Sequence, residues 1–357
     1  MNKIKSLKKT TITDFATYFM VIAAFIVMTI LSDGGYLTRS LKGQLIPICC
    51  YIIMAVSLNF TVGILGELSL GHAGFMSVGA FSGIVVSASL QQMIPSSPLR
   101  LIVAIIVGAL FAAVVGVIVG VPVLRLRGDY LAIVTLAFGQ IIKDIINCLI
   151  VGVDERGLHI IFNASGQKGV ADLMLSDGGT VIIKGAQGAS GVTPIATFTA
   201  GFILIMITLV IVLNIVRSKT GRAVMALRDN RIAAESVGIN ITKYKLMVFV
   251  ISAAIAGAAG ALYGLNYSNL MASKFDFNLS ITILVFVVLG GLGNIWGSII
   301  AATAVTILPE ALRGFDDYRM LIYAIVLIIV MLSTNNPQIK GVFEKINPFR
   351  KGDEENG

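Results

Sequence analysis

Apolar residues in this chain come in long unbroken runs, not in alternation or one-sided stripes. "LIVAIIVGALFAAVVGVIVG" at 101–120 is apolar on every side, as a helix surrounded by lipid requires and as a half-exposed strand does not allow. With about 20 residues per crossing, a first set of runs lies near 15–31, 44–65, 73–90, 99–123 and 130–151. A second lies near 195–216, 246–267, 279–290, 298–309 and 319–333. The pattern predicts an all-α polytopic membrane protein with about ten transmembrane helical segments. The pieces 279–290 and 298–309 are short, so they form either two crossings or one re-entrant unit, and the count runs from about eight to about ten. The runs form one domain over 1–357, with its membrane core at 15–333. A β-barrel would need segments of about ten residues with alternating polarity, and is excluded.

Three interruptions of this pattern carry the information. Two are Gly-rich and fall at membrane depth: "TVGILGELSLGHAGF" (61–75) and "VLGGLGNIWGS" (288–298). Irregular backbone survives there only where protein covers it or water lines it, which makes both breaks candidates for a translocation pathway. The third, 152–194, is a long loop on the outer side that mixes charged residues with many glycines; a connection of that length is usually functional or disordered.

Composition sharpens the class. The chain is 56% hydrophobic and 13% charged, with 37 glycines, far from a soluble globular balance. The formal charge of +8 does not indicate nucleic acid, because the basic residues sit in loops beside apolar spans. With the amino terminus in the cytoplasm, inner segments carry 17 Lys/Arg and the outer side nine, counting Arg100 and Arg319 at the outer ends of their spans. That positive-inside bias places both termini, the 217–245 loop and the 334–357 tail in the cytoplasm. No small-x-small cleavage site follows the first run, so it is expected to be a retained span and not a removed signal. Cys49, Cys50 and Cys148 lie in apolar runs without metal-ligand spacing and are expected to be small buried hydrophobes.

The 217–245 loop contains "RAVMALRDNRIAAESVG" (222–238), the most polar stretch between the spans. On a helical wheel Ala223, Ala226, Leu227, Ala233, Ala234 and Val237 fall on one side, and Arg228, Arg231 and Glu235 on the other. An apolar side made mostly of alanine is too poor in large residues to lie on lipid. It suits close approach to another protein surface, with charges at the rim setting the orientation.

No phosphate loop, HExxH or CxxC pair is present, so no enzyme, metal or cofactor site is expected and the chain cannot hydrolyse ATP by itself. Glu67 and His72 flank the first break; they are either pathway groups or hydrated residues at the interface. Asn59, inside "VSLNFTVG", is either interhelical glue or a pathway contact for a zwitterion. Gly290, Gly291 and Gly293 mark the second break. Asp129 suits a helix N-terminus, and Lys143 and Asp144 snorkel near the outer end of their span.

The stretches "SLNFTVGILGELSLGHAGFMSVGA" (57–80), "RGDYLAIVTLAFGQII" (127–142), "GAQGASGV" (185–192), "GRAVMALRDNRIAAESVGINITKYKLMVFVISAAIAGAAGALYG" (221–264) and "FVVLGGLGNIWGSIIAA" (286–302) together resemble the permease subunits of branched-chain amino acid ABC importers. The resemblance implies a ten-segment fold of the vitamin-B12-permease type in a bacterial cytoplasmic membrane. The implied partners are two ABC ATPase subunits, a second related permease and an extracytoplasmic amino-acid-binding protein, with Leu, Ile or Val as substrate. It also identifies 222–238 with the ATPase-coupling loop. In the general importer pattern a Glu-Ala-Ala is followed three residues later by Gly; Ala233, Ala234 and Gly238 keep this spacing, Ile232 stands at the Glu position, and Glu235 takes over the charge. Arg228 and Asp229 complete the implied coupling set. Within the resemblance urea, short amides and nucleosides remain alternative substrates. Outside it, an ion-coupled carrier would need intramembrane carboxylates that the deep spans hardly offer.

Overall fold

The computed structural model describes residues 2–312, apart from 37, 92, 125, 127, 155, 164–168 and 177–178, together with positions 321, 324, 325 and 328. Most of the expected segment 319–333 and all of the tail 334–357 lie outside the described residues. The chain forms a first compact unit up to Ala302 and a second from Thr303 onward.

Helices α1 (Asn2–Asp33), α2 (Arg39–Asn59), α3 (His72–Ser89), α4 (Ser97–Val123) and α5 (Asp129–Asn147) precede the long loop. After it come α6 (Phe198–Arg217), a short pair α7 (Lys219–Asp229) and α8 (Arg231–Ser236), then α9 (Ile241–Gly264), α10 (Phe277–Gly290) and α11 (Ile295–Ala311). Among the described residues, eight stretches are long and apolar enough to cross a bilayer, and α11 is a shorter apolar helix. The apolar runs therefore locate the helices well. One boundary moves: the run expected at 130–151 stops as a helix at Asn147, and Leu149–Asp154 forms a strand instead. In the second unit, the described residues begin with the end of α11.

Burial separates the core helix from the rim. Within an 18-residue apolar window of Arg39–Leu65, 94% of the residues are buried, against 11% for Ala16–Asp33 and 28% for such a window of Ser97–Val123, so α2 is the axis of the first unit. Small residues let α3, α4 and α9 approach one another. A side chain at Gly79 would strike the Gly257 backbone, and one at Gly83 the Ala261 side chain. Without a hydrophobic drive between helices in lipid, such close backbone packing is a main source of association.

The described residues of the 152–194 loop form strands. With residues 149–151 before it and Asn269–Leu270 after α9 they make a five-stranded antiparallel sheet of order β2-β1-β3-β4-β5. The strands are Leu149–Asp154, Gly157–Phe162, Thr180–Lys184, Ala189–Ser190 and Asn269–Leu270. Helix α6 runs from just after this sheet to the α7–α8 pair, and α9 returns from the pair to β5. These helices have 20 and 24 residues, or roughly 30 and 36 Å at 1.5 Å per residue. The sheet and the α7–α8 pair therefore occupy opposite ends of the bundle.

Candidate functional site: the α7–α8 hairpin and the helix breaks beside it

The amphipathic stretch is two helices, not one. Asn230 leaves helical geometry at φ −153°, and its side chain accepts the Ala233 N–H at 3.1 Å, capping α8. Ser218 caps α7 and Asn240 caps α9 in the same manner. Gly238 closes α8 at φ +84°, with open space where a side chain would begin, a conformation that glycine adopts without strain.

The break at Asn230 changes which residues face outward. Leu227, Ala234 and Ile241 pack together under Ala226, Ile239 and Tyr244, so Ala234, at 3% exposure, belongs to the interior of the hairpin. The expected alanine ridge is thereby corrected: a single wheel cannot hold across a change of helix axis. Ile232 at 81% and Val237 at 75% exposure form the outward apolar surface, beside exposed Ala233 and Glu235.

Arg228 points the other way, into the bundle. Its Nη1 donates to the Gly63 carbonyl at 2.9 Å, and its Nε and Nη2 donate to Asp229 Oδ1, each at 3.3 Å. Gly63 belongs to a π-helical turn, Phe60–Leu65, that ends α2. Asn59 stands one residue before that turn. Its Oδ1 accepts the Gly293 N–H at 2.8 Å, and its Nδ2 donates to Ser298 Oγ at 2.9 Å. A side chain on Gly63 would collide with Asn59 Oδ1 and with the Gly293 backbone, and one on Gly290 with Gly297 and Ser298. Gly291 and Gly293 take φ +89° and +82° to reverse the chain between α10 and α11. The two Gly-rich breaks, more than 200 residues apart in sequence, thus meet in space. Asn59 is fully buried, and its amide oxygen and nitrogen both bond within this junction.

Glu67 and His72 both lie within the packed bundle. Glu67 pairs with Lys245 of α9, and both side chains are largely buried. His72 is 2% exposed. It lies at the level of Ser252, 11 residues into α9, or about 16 Å from that helix's start. The Ser57 hydroxyl donates to the Ser252 carbonyl and the Ser252 hydroxyl to the Ser57 carbonyl, both at 2.7 Å. With both hydroxyl protons spent, the 2.9 Å contact between His72 Nε2 and Ser57 Oγ runs from the imidazole N–H. His72 Nδ1 then has no partner among the described residues. Helix α3 therefore starts inside the bundle, where the Leu70 and Ala73 N–H groups donate to Thr135 Oγ1 and Ser280 Oγ. A narrow cleft lined by Gly74, Gln140, Asp276 and Ser280 opens beside them.

Ser57, Ser252, Lys245, Thr135 and Ser280 did not stand out in the sequence. Their signal was present as isolated hydroxyls inside apolar runs, and as a lysine counted with the loop although it begins a span.

A family model described as the permease component of branched-chain amino acid transport systems matches residues 40–331. The chain is 32% identical over 312 residues to the high-affinity branched-chain amino acid transport system permease protein LivM of Salmonella typhimurium, covering 81% of this chain and 69% of the relative. LivM of Escherichia coli matches with the same identity and coverage. LivH of Escherichia coli is 24% identical over 298 residues, covering 79% of this chain and 88% of that one. Carrying apolar helices long enough to span a bilayer, a core axis and the matched segment over most of its length, the chain is a multi-pass membrane protein and belongs to the branched-chain amino acid transport system permease family.

Proposed function

We propose that this chain is a transmembrane subunit of an ATP-binding-cassette importer that moves Leu, Ile or Val inward across a bacterial cytoplasmic membrane. Two ATPase subunits bind the α7–α8 hairpin from the cytoplasm. A second related permease completes the pathway, and an extracytoplasmic binding protein delivers substrate at the sheet end. The termini lie in the cytoplasm with the hairpin. ATP binding favours one arrangement of the ATPases, and the spans follow by alternating access, a shift between two states that a ligand binds unequally.

The observation that carries this reading is the hairpin itself. Ile232, Ala233 and Val237 stand out from a self-packed base, ringed by Arg231, Asp229 and Glu235, at the end of the bundle away from the sheet. A small apolar knob with charges at its rim suits insertion into a cleft, with the charges fixing its orientation.

The test is reconstitution of the permease with its partner subunits in vesicles, with ATP or ADP inside and radiolabelled leucine on the outer face together with the binding protein. Uptake that requires ATP and saturates with leucine is expected. Uptake driven equally by an ion gradient with ADP inside would contradict the importer reading.

A further inference from the structure

We infer that Arg228 is a positioning residue that ties the α7–α8 hairpin to the broken end of α2 and to the α10–α11 turn, and so passes hairpin movement into the spans. This rests on the importer reading above. It changes the part that the family resemblance implies for Arg228, from a contact with the ATPase to a joint within the permease.

The joint exists because α2 and its π turn end at Leu65, where Gly66 turns to φ +80°. The last four carbonyls of a helix, Gly63 among them, have no partner within it. The Glu67 N–H donates to the Thr61 carbonyl at 3.2 Å, and the Gly63 carbonyl is open to the guanidinium. The stem of Arg228 also lies over Gly66: a side chain at Gly66 would meet Arg228 Cγ. Gly63 also presses on Gly293, which lies beside Arg228 Nη1 and which the Asn59 amide holds by its N–H. Hairpin, α2 and the α10–α11 turn are thus joined through one guanidinium, two glycine backbones and one buried amide. Asp229 accepts from the same guanidinium on its exposed side and keeps it aimed.

Backbone contacts of this kind move as a unit, because close-packed elements shift between discrete arrangements instead of deforming continuously. Loosening the joint should let ATP turnover proceed without matching movement of the spans.

The test uses the full complex with Arg228→Ala and Arg228→Lys, reading permease abundance, co-purification of the ATPases, ATP hydrolysis, and leucine transported per ATP. For Arg228→Ala, abundance, co-purification and hydrolysis should stay near wild type while leucine per ATP falls roughly tenfold, a size within reach of single positions that modulate coupling. Arg228→Lys, which keeps a charge that can reach one carbonyl, should recover part of the ratio. An unchanged ratio overturns the inference. Loss of co-purification at normal abundance would make Arg228 a docking contact, and loss of abundance would make it a mere helix cap; both also overturn it. If wild-type permease neither holds ATPases nor shows ATP-dependent uptake, the importer reading itself fails, an outcome separate from any difference between variants.

Discussion

The side-chain oxygen of Asn59 accepts the backbone N–H of Gly293 at 2.8 Å, joining two helix breaks that the sequence separates by 234 positions. Asn59→Leu would remove both bonds, leaving the Gly293 N–H without its acceptor and Ser298 Oγ with only the Asn294 carbonyl. Each lost hydrogen bond costs about 0.5–1.5 kcal/mol. The variant should therefore lose thermal stability and abundance together with uptake. Full stability with selective loss of uptake would instead place Asn59 in the translocation pathway.

The Glu67–Lys245 pair gives a second prediction. Removing one partner from a largely buried pair strands a charge and costs about 3–5 kcal/mol, whereas replacing both by apolar groups can be nearly neutral. Glu67→Met and Lys245→Met should each lower the thermal unfolding temperature in detergent, and the double variant should recover most of the loss. Additive losses would show that the pair is not coupled.

Much of this architecture was legible before the structure. Unbroken apolar runs such as 101–120 admit few readings but a span, and the helices fall close to the expected limits. The sheet was hidden because its strands are two to six residues long and the last of them pairs across α6 to α9. The break at Asn230 was hidden because one residue with a capping side chain looks like any other polar position on an amphipathic wheel. It turned the alanine ridge inward and left Ile232 and Val237 as the surface. The meeting of the two breaks depends on a π turn that no periodicity announces. The glycines at 63, 66 and 293 were visible as breaks, but not as one joint.

The sheet carries a pH prediction. Withdrawal from water alone would raise the Asp154 pKa, but N–H and hydroxyl groups of Ser176, the Arg156 N–H and the His159 ring hold the carboxylate at about 2, below its ordinary 3.8. A depressed folded-state pKa means the support is complete above about 3.8 and is lost as pH falls through about 2. Pepsin should cut the 152–180 segment much faster at pH 2 than at pH 4, and Asp154→Ala should already be cut at pH 4. Equal cleavage of wild type and variant at pH 4 would contradict this role for Asp154.

The central claim is that the α7–α8 hairpin is where this permease meets its ATPases. Ile232→Asp puts a charge on the outward apolar surface without touching the hairpin's own core. Gly238→Val forces a β-branched residue into positive φ, a strain of about 1–3 kcal/mol, confined to the loop. The most direct measurement is co-purification of the ATPase subunits with each variant, at matched permease abundance, alongside ATP-dependent leucine uptake. Ile232→Asp should reduce both by roughly tenfold or more, since a charge desolvated against a partner costs several kcal/mol, and Gly238→Val should reduce both in the same direction. Wild-type levels of ATPase binding and uptake with Ile232→Asp would contradict the account.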